Sequence, residues 1–178
     1  MRQNPETLAV CLKRLAAEAG FALVGIARAE PTRHADAYRK WLDAGKQGEM
    51  AYLEKNIGDR LDVTRKFPWA RSILCVGLAY WTDPDETGAT GPHDSRGKIA
   101  RYAWGRDYHK VVEGKLKQVE RRLREELHES DEPFQARIYC DTGPILEREF
   151  AMRAGLGWVG KHTLLIHPRH GSWFLLGE

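Results

Sequence analysis

The sequence predicts an α/β fold, a central mixed sheet flanked by helices. Three observations carry that expectation. Strand-like and helix-like runs interleave along the 178 residues, the pattern of a sheet with helices layered on its faces. Ser72–Tyr80 (SILCVGLAY) is almost continuously apolar, as in a central strand buried on both sides. Tyr108–His128 repeats Val112, Leu116, Val119, Leu123 and Leu127 at helical spacing, one buried stripe on a long helix.

The elements follow in order. Pro5–Glu18 sets Leu8, Leu12 and Leu15 on one helical face, with Lys13 and Arg14 on the other. Gly20 ends that helix, and Phe21–Ile26 is an apolar run of strand length. Arg33–Ala44 reads as a second helix with Tyr38, Trp41 and Leu42 as its apolar stripe, stopped by Gly45. A short helix fits Glu49–Asn56. After the central strand, Trp81–Lys98 is rich in Asp, Gly, Pro and Thr and has no apolar period, which marks a long loop of the kind that carries function. Ile99–Tyr102 and Arg137–Cys140 are read as strands on either side of the long helix. Pro144–Ala154 is a helix closed by Gly155, and Thr163–Ile166 and Ser172–Leu176 are late strands.

The balance is that of one globular domain: 42% apolar and 30% charged, with 28 basic against 25 acidic residues. The net charge of +3 neither requires nor excludes a polyanionic partner. Cys11, Cys75 and Cys140 lie far apart without a CxxC pair, which argues against a disulfide framework and against a zinc or iron–sulfur site within this chain. Cys75 and Cys140 sit in apolar runs as core residues, and the pattern suits a reducing cytosol. No apolar run reaches the length of a membrane span, and Met1–Glu6 lacks the order of a signal peptide. The expected setting is cytoplasmic, without a membrane partner.

Four segments are denser in chemistry than a scaffold requires. Arg101–Lys110 (RYAWGRDYHK) packs aromatics among Arg101, Arg106, His109 and Lys110, a composition suited to phosphates; Asp107 within it is equally a helix cap. Asp141 in Asp-Thr-Gly-Pro stands where a strand gives way to a helix. That is where α/β folds gather ligands, and it is also where a capping carboxylate belongs, so both roles stay open. Glu149 and Arg153, four apart, read as a surface ion pair. Gly155–Thr163 (GLGWVGKHT) contains G-x-G-x-x-G, but it follows a helix and precedes a strand. The dinucleotide fingerprint needs the reverse, so these glycines suit close backbone approach to something flat and bulky.

Taken together, Gly48-Glu49-Met50, Arg101–Lys110, Asp141–Arg148, Ala154–Thr163 and Gly171–Glu178 resemble the epoxyqueuosine reductase family. That resemblance implies a nitroreductase-like, cobalamin-binding catalytic domain spanning residues 1–178. It corresponds to the N-terminal part of a longer protein, lacking the iron–sulfur and helical-repeat parts. It implies reduction of the epoxide of epoxyqueuosine to queuosine in tRNA, with electrons reaching cobalamin through iron–sulfur clusters that this chain does not bind. A separate reductant or iron–sulfur domain is then a required partner, besides the tRNA. The family's proton donor falls on Asp141. Cobalamin contacts are implied for Arg60, Tyr102, Asp141, Lys161, His162, Thr163, Leu165 and Leu176, and tRNA contacts for Arg106, His167 and Arg169. No protein-bound metal ion is expected. An aspartate free in water is ionised at neutral pH, so this role needs burial against an apolar ring to keep a proton available. Two alternatives remain: a corrinoid- or flavin-binding reductase or trafficking module without a tRNA substrate, and a non-catalytic binding fragment.

Overall fold

A computed structural model describes residues 5–81, 97, 99–127 and 134–178. Helix α1 (Pro5–Glu18) leads into β1 (Leu23–Arg28), then α2 (Ala35–Asp43), a 3-10 turn at Ala51–Leu53, and the short helices α3 (Ile57–Leu61) and α4 (Val63–Lys66). Strand β2 (Ser72–Ala79) follows, then a 3-10 turn at Arg101–Ala103 and the long helix α5 (Tyr108–Glu126). The chain finishes with α6 (Glu147–Arg153), β3 (Trp158–Val159), β4 (Leu165–Ile166) and β5 (Phe174–Gly177).

The apolar run of β2 is central, as its composition requires: the sheet order is β1-β2-β5. One face carries Leu15, Ala16, Val76, Val112, Leu116 and Val119, which seat α1 and α5. The other carries Leu23, Ala27, Cys75, Phe150, Ala151 and Leu165, which seat α6 and the β3–β4 hairpin. The α/β layering is therefore present. The described strand pairs are all antiparallel rather than mixed. Two glycines set the layer spacing. A Cβ on Gly25 would lie 2.3 Å from the Ala154 carbonyl oxygen, and one on Gly177 2.5 Å from Val112 Cγ1; each lets a helix approach the sheet to a distance that no side chain permits.

Several local expectations change. Ile99–Tyr102 is not a strand, because Arg101–Ala103 turns as a 3-10 helix and Trp104 Nε1 donates to the Ile99 carbonyl at 2.9 Å. Helix α6 begins at Glu147 rather than at Pro144, with Leu146 at its N-cap and no side-chain cap bond. Asp141 is thus no helix cap, whereas Asp107 is one, accepting from the His109 N–H at 3.0 Å. Arg137–Cys140 forms no regular strand, yet Tyr139 and Glu178 exchange both backbone hydrogen bonds, at 2.9 and 3.0 Å. Glu149 and Arg153 are not at the surface: they are 6% and 11% exposed. Glu149 accepts from the Thr32 hydroxyl and the Arg33 N–H, and Arg153 reaches back to Glu30 at 2.9 Å. The pair staples α6 to the chain beyond β1. Most of the Trp81–Lys98 loop, and His128 at the expected end of α5, lie outside the described residues.

Candidate active site

Asp141 stands just past the Tyr139–Glu178 pair, with φ of 62°. A non-glycine residue in this left-handed region is strained by roughly 1–2 kcal/mol, and aspartate is among the few that tolerate it. Such strain persists only where neighbours over-determine the conformation. Here the neighbours are the first turn of α5. The Tyr108 hydroxyl donates to Asp141 Oδ2, and His109 Nε2 lies 3.4 Å from the same oxygen. The two rings stack with centroids 4.0 Å apart. His109 Nδ1 meets Asp107 Oδ1 at 2.9 Å, so the helix cap also orients the imidazole. An imidazole placed between two carboxylates donates to both only as the imidazolium. Tyr102 meets Tyr108 edge-on at 6.2 Å, which extends the aromatic wall from the 3-10 turn. Arg101 continues that wall, its guanidinium 4.1 Å from the Trp81 ring and 5.0 Å from the Trp104 ring.

Behind Asp141 lies a nest of groups that resist ionisation. Burial pushes the Glu147 carboxyl up to about 7, and the negative charge of Asp141 adds to the effect. Glu178 is driven well above the ordinary carboxylate range by burial, then by Glu147 and Asp141. Cys140 is pushed up to about 12 by burial and by Asp141, and its thiol donates to the Leu176 carbonyl at 3.4 Å. Tyr108 is raised by burial and by its bond to Asp141, so its hydroxyl keeps its proton and serves as a donor. Asp141 itself is open, its side chain 47% exposed. The result is one accessible side chain, that of Asp141, backed by groups that resist ionisation.

A second cluster forms around the β3–β4 turn. Thr163 is also left-handed, with φ of 70°, and Arg148 of α6 donates to its carbonyl. Because α6 starts six residues after Asp141, it ties the two strained loops to one helix. His162 Nε2 lies 3.3 Å from the Ser172 hydroxyl, which donates to the Leu165 carbonyl at 2.8 Å. Lys161 and His162 are exposed, as are the large apolar residues Trp158, Val159 and Leu164. An apolar, solvent-facing platform bordered by polar loops fits a broad, flat amphipathic ring.

The structure unites Asp141, Tyr102 and Leu176 through Tyr108 and Cys140, and it joins His162, Thr163 and Leu165 through Ser172 and Arg148. Leu165 itself is buried, so only its backbone is on offer. Arg60 on α3 is half-buried with its Nε unpaired, and its charge opposes the rise at Glu147. Arg106 and Arg169 are exposed. His167 holds a tight turn through Nδ1, which accepts from the Arg169 and His170 N–H groups at 3.1 and 3.3 Å. Sequence reasoning gave Tyr108 no role beyond its helix and His109 only a phosphate-binding one, and it assigned no site role to Glu147 or Glu178. The first two carried a usable signal, since they directly follow a capping aspartate and so project from a helix start.

The family described as Epoxyqueuosine reductase QueG, DUF1730, matches residues 60–142. An epoxyqueuosine reductase of Synechococcus sp. (strain RCC307) is 41% identical over 98% of this chain and 52% of its own length. One of Xanthomonas campestris pv. campestris is 38% identical over 99% of this chain and 49% of its own. The crystal structure of an epoxyqueuosine reductase with an epoxyqueuosine-modified tRNA stem loop superposes with a TM-score of 0.83 at 26% identity, covering 98% of this chain and 45% of the other. The chain thus spans about half the length of the curated relatives it matches.

Proposed function

We propose that this chain, which belongs to the epoxyqueuosine reductase family, is the cobalamin-binding catalytic domain of a tRNA-modifying oxidoreductase, with Asp141 as proton donor. It forms the N-terminal part of a longer cytoplasmic protein that reduces epoxyqueuosine to queuosine. The observation that carries the reading is the strained Asp141, held open to solvent by Tyr108 and His109.

Cobalamin, when bound, supplies the reducing power that removes the epoxide oxygen. Tyr102, Lys161, His162 and Thr163 would hold its edge, with the backbones of Leu165 and Leu176 beside them. Arg60, whose charge reaches Glu147, would add a cation to that rim. Opening an epoxide develops negative charge on oxygen, and a positioned acid must deliver a proton to it. The Asp141 carboxyl holds that proton. A ring bound over the site would exclude water from Asp141. Tyr108 and His109 orient the carboxyl, and Arg106, His167 and Arg169 meet the RNA backbone. Electrons come from an iron–sulfur domain or another reductant outside these residues.

Mixing the chain with cobalamin and a chemical reductant is expected to shift the visible absorbance of the cofactor and to convert an epoxyqueuosine stem loop to queuosine. Absence of any shift at saturating cofactor would rule out the pocket. Uptake without conversion would favour a binding module.

A further inference from the structure

The start of α5 presents His109 with each ring nitrogen against a different carboxylate. Nδ1 lies 2.9 Å from Asp107 Oδ1, and Nε2 lies 3.4 Å from Asp141 Oδ2. The ring cannot drift, because it stacks on Tyr108 and because Asp107 Oδ1 is itself fixed by the His109 N–H at 3.0 Å. The bond to His109 holds the Asp107 carboxyl below the ordinary range, so Asp107 accepts from the ring and does not donate to it. The other neighbours of Asp141 are poorer proton sources. Burial and the bond to Asp141 keep the Tyr108 proton in place, and burial keeps that of Cys140. Glu147 meets Asp141 through the backbone N–H and not through the side chain. Reduction of an epoxide to an alkene breaks both C–O bonds, makes one C=C bond and releases the oxygen as water. It therefore consumes two electrons and two protons. The electrons come from the reductant, and Asp141 accounts for one of the protons.

We propose that His109, as the imidazolium, stores the second proton and passes it to the substrate through Asp141. The inference rests on the reading of Asp141 as proton donor. Both protons are loaded while the site is open, since the side chains of Asp141 and His109 are 47% and 37% exposed. Asp141 gives its proton to the epoxide oxygen as the first C–O bond opens. His109 then passes its Nε2 proton to Asp141 Oδ2. Asp141 delivers that proton to the same oxygen as the second C–O bond breaks and water leaves. The contact of 3.4 Å shortens at that stage, as contacts in unliganded sites commonly do. The neutral ring keeps its Nδ1 proton on Asp107, and the bare Nε2 takes its next proton from solvent once the product has gone. His109 does not touch the substrate; it is a positioning residue that also carries a charge. The groups that meet it are Asp107 and Tyr108 from its own helix and Asp141 from the loop after Tyr139, while Lys110 acts on it through Asp107.

Two measurements test it. The first needs neither cobalamin nor RNA: nitrogen-15 spectra of the His109 ring at alkaline pH. The neutral ring is expected to carry its proton on Nδ1 in the parent, and to move it toward Nε2 in Asp107→Ser, which keeps a helix cap but loses the carboxylate. A parent ring protonated on Nε2 overturns the proposal. The second compares the parent with His109→Gln in single turnovers of an epoxyqueuosine stem loop with chemically reduced cobalamin, from pH 6 to pH 9. Glutamine keeps a donor near Asp141 but stores no extra proton. The parent is expected to be faster by at least about tenfold at pH 6, and to lose that advantage toward pH 9 as the imidazolium disappears. A merely structural role gives the same deficit at both ends of the range, and that result overturns the proposal, as do equal rates at pH 6. The two readings separate cleanly. Full activity of Asp141→Asn refutes the proton donor itself, whereas an inactive Asp141→Asn beside a fully active His109→Gln refutes only the proton store.

Discussion

Replacing Glu147 by Gln removes a charge that the fold disfavours. The carboxyl titrates near 7 in the folded chain against an ordinary 4.5, chiefly through burial and then through Asp141. The sign follows from the raised value. Below about pH 4.5 both folded and unfolded chains hold the proton, and the contribution of Glu147 to stability is fully present. As pH rises toward 7 the unfolded chain releases it first, and stability is lost. Taken at 1.36 kcal/mol per pH unit, the interval from 4.5 to about 7 gives an upper bound of roughly 3 kcal/mol. Relaxation around a half-buried group lowers it. Urea unfolding of Glu147→Gln and the parent, at pH 4.5 and pH 8, reads the difference directly. The variant is expected to gain up to about 3 kcal/mol over the parent at pH 8 and almost nothing at pH 4.5. A gain independent of pH, or a loss at pH 8, refutes the reasoning.

Glu149→Ala leaves Arg153 in a nearly closed site with half its ion-pair network, and chemical denaturation should show a loss of about 2–4 kcal/mol. Gly25→Ala drives a methyl into the Ala154 carbonyl, a backbone atom that cannot swing aside; thermal melting should report about 1–3 kcal/mol of overpacking. Tyr108→Phe deletes the donor to Asp141 and is expected to lower kcat by about 10–100-fold with little change in KM; an unchanged kcat would exclude an orienting role. Arg169→Ala should flatten the salt dependence of stem-loop binding by close to one phosphate contact, whereas a slope unchanged from the parent removes Arg169 from the RNA surface.

The parts of the fold legible in the sequence are those set by local pattern. Helix α1 and the central place of β2 follow from leucine spacing and from a run with no polar face. Segment 137–140 has the composition of a strand, but its partner is Glu178, and pairing at that separation is a tertiary fact. The spacing of Glu149 and Arg153 gives the pair but not its burial, since Thr32 and Glu30, far away in sequence, close over it. At the site, Asp141 was readable as important and ambiguous in role. The structure removes the capping role, because α6 starts at Glu147. The shifts at Glu147 and Glu178 were out of reach, since each arises from burial by elements distant in sequence and from proximity to Asp141.

The central claim is that Asp141 supplies a proton at a site the rest of the chain has already built. Its most direct test is a single-turnover assay of Asp141→Asn, with chemically reduced cobalamin and an epoxyqueuosine-modified stem loop. Asparagine tolerates the left-handed backbone and keeps an acceptor for Tyr108, so the fold and cofactor uptake are expected to stay near parent levels. Queuosine formation is expected to fall by at least about 100-fold. Product formed at the parent rate by a variant that binds cobalamin normally contradicts the account.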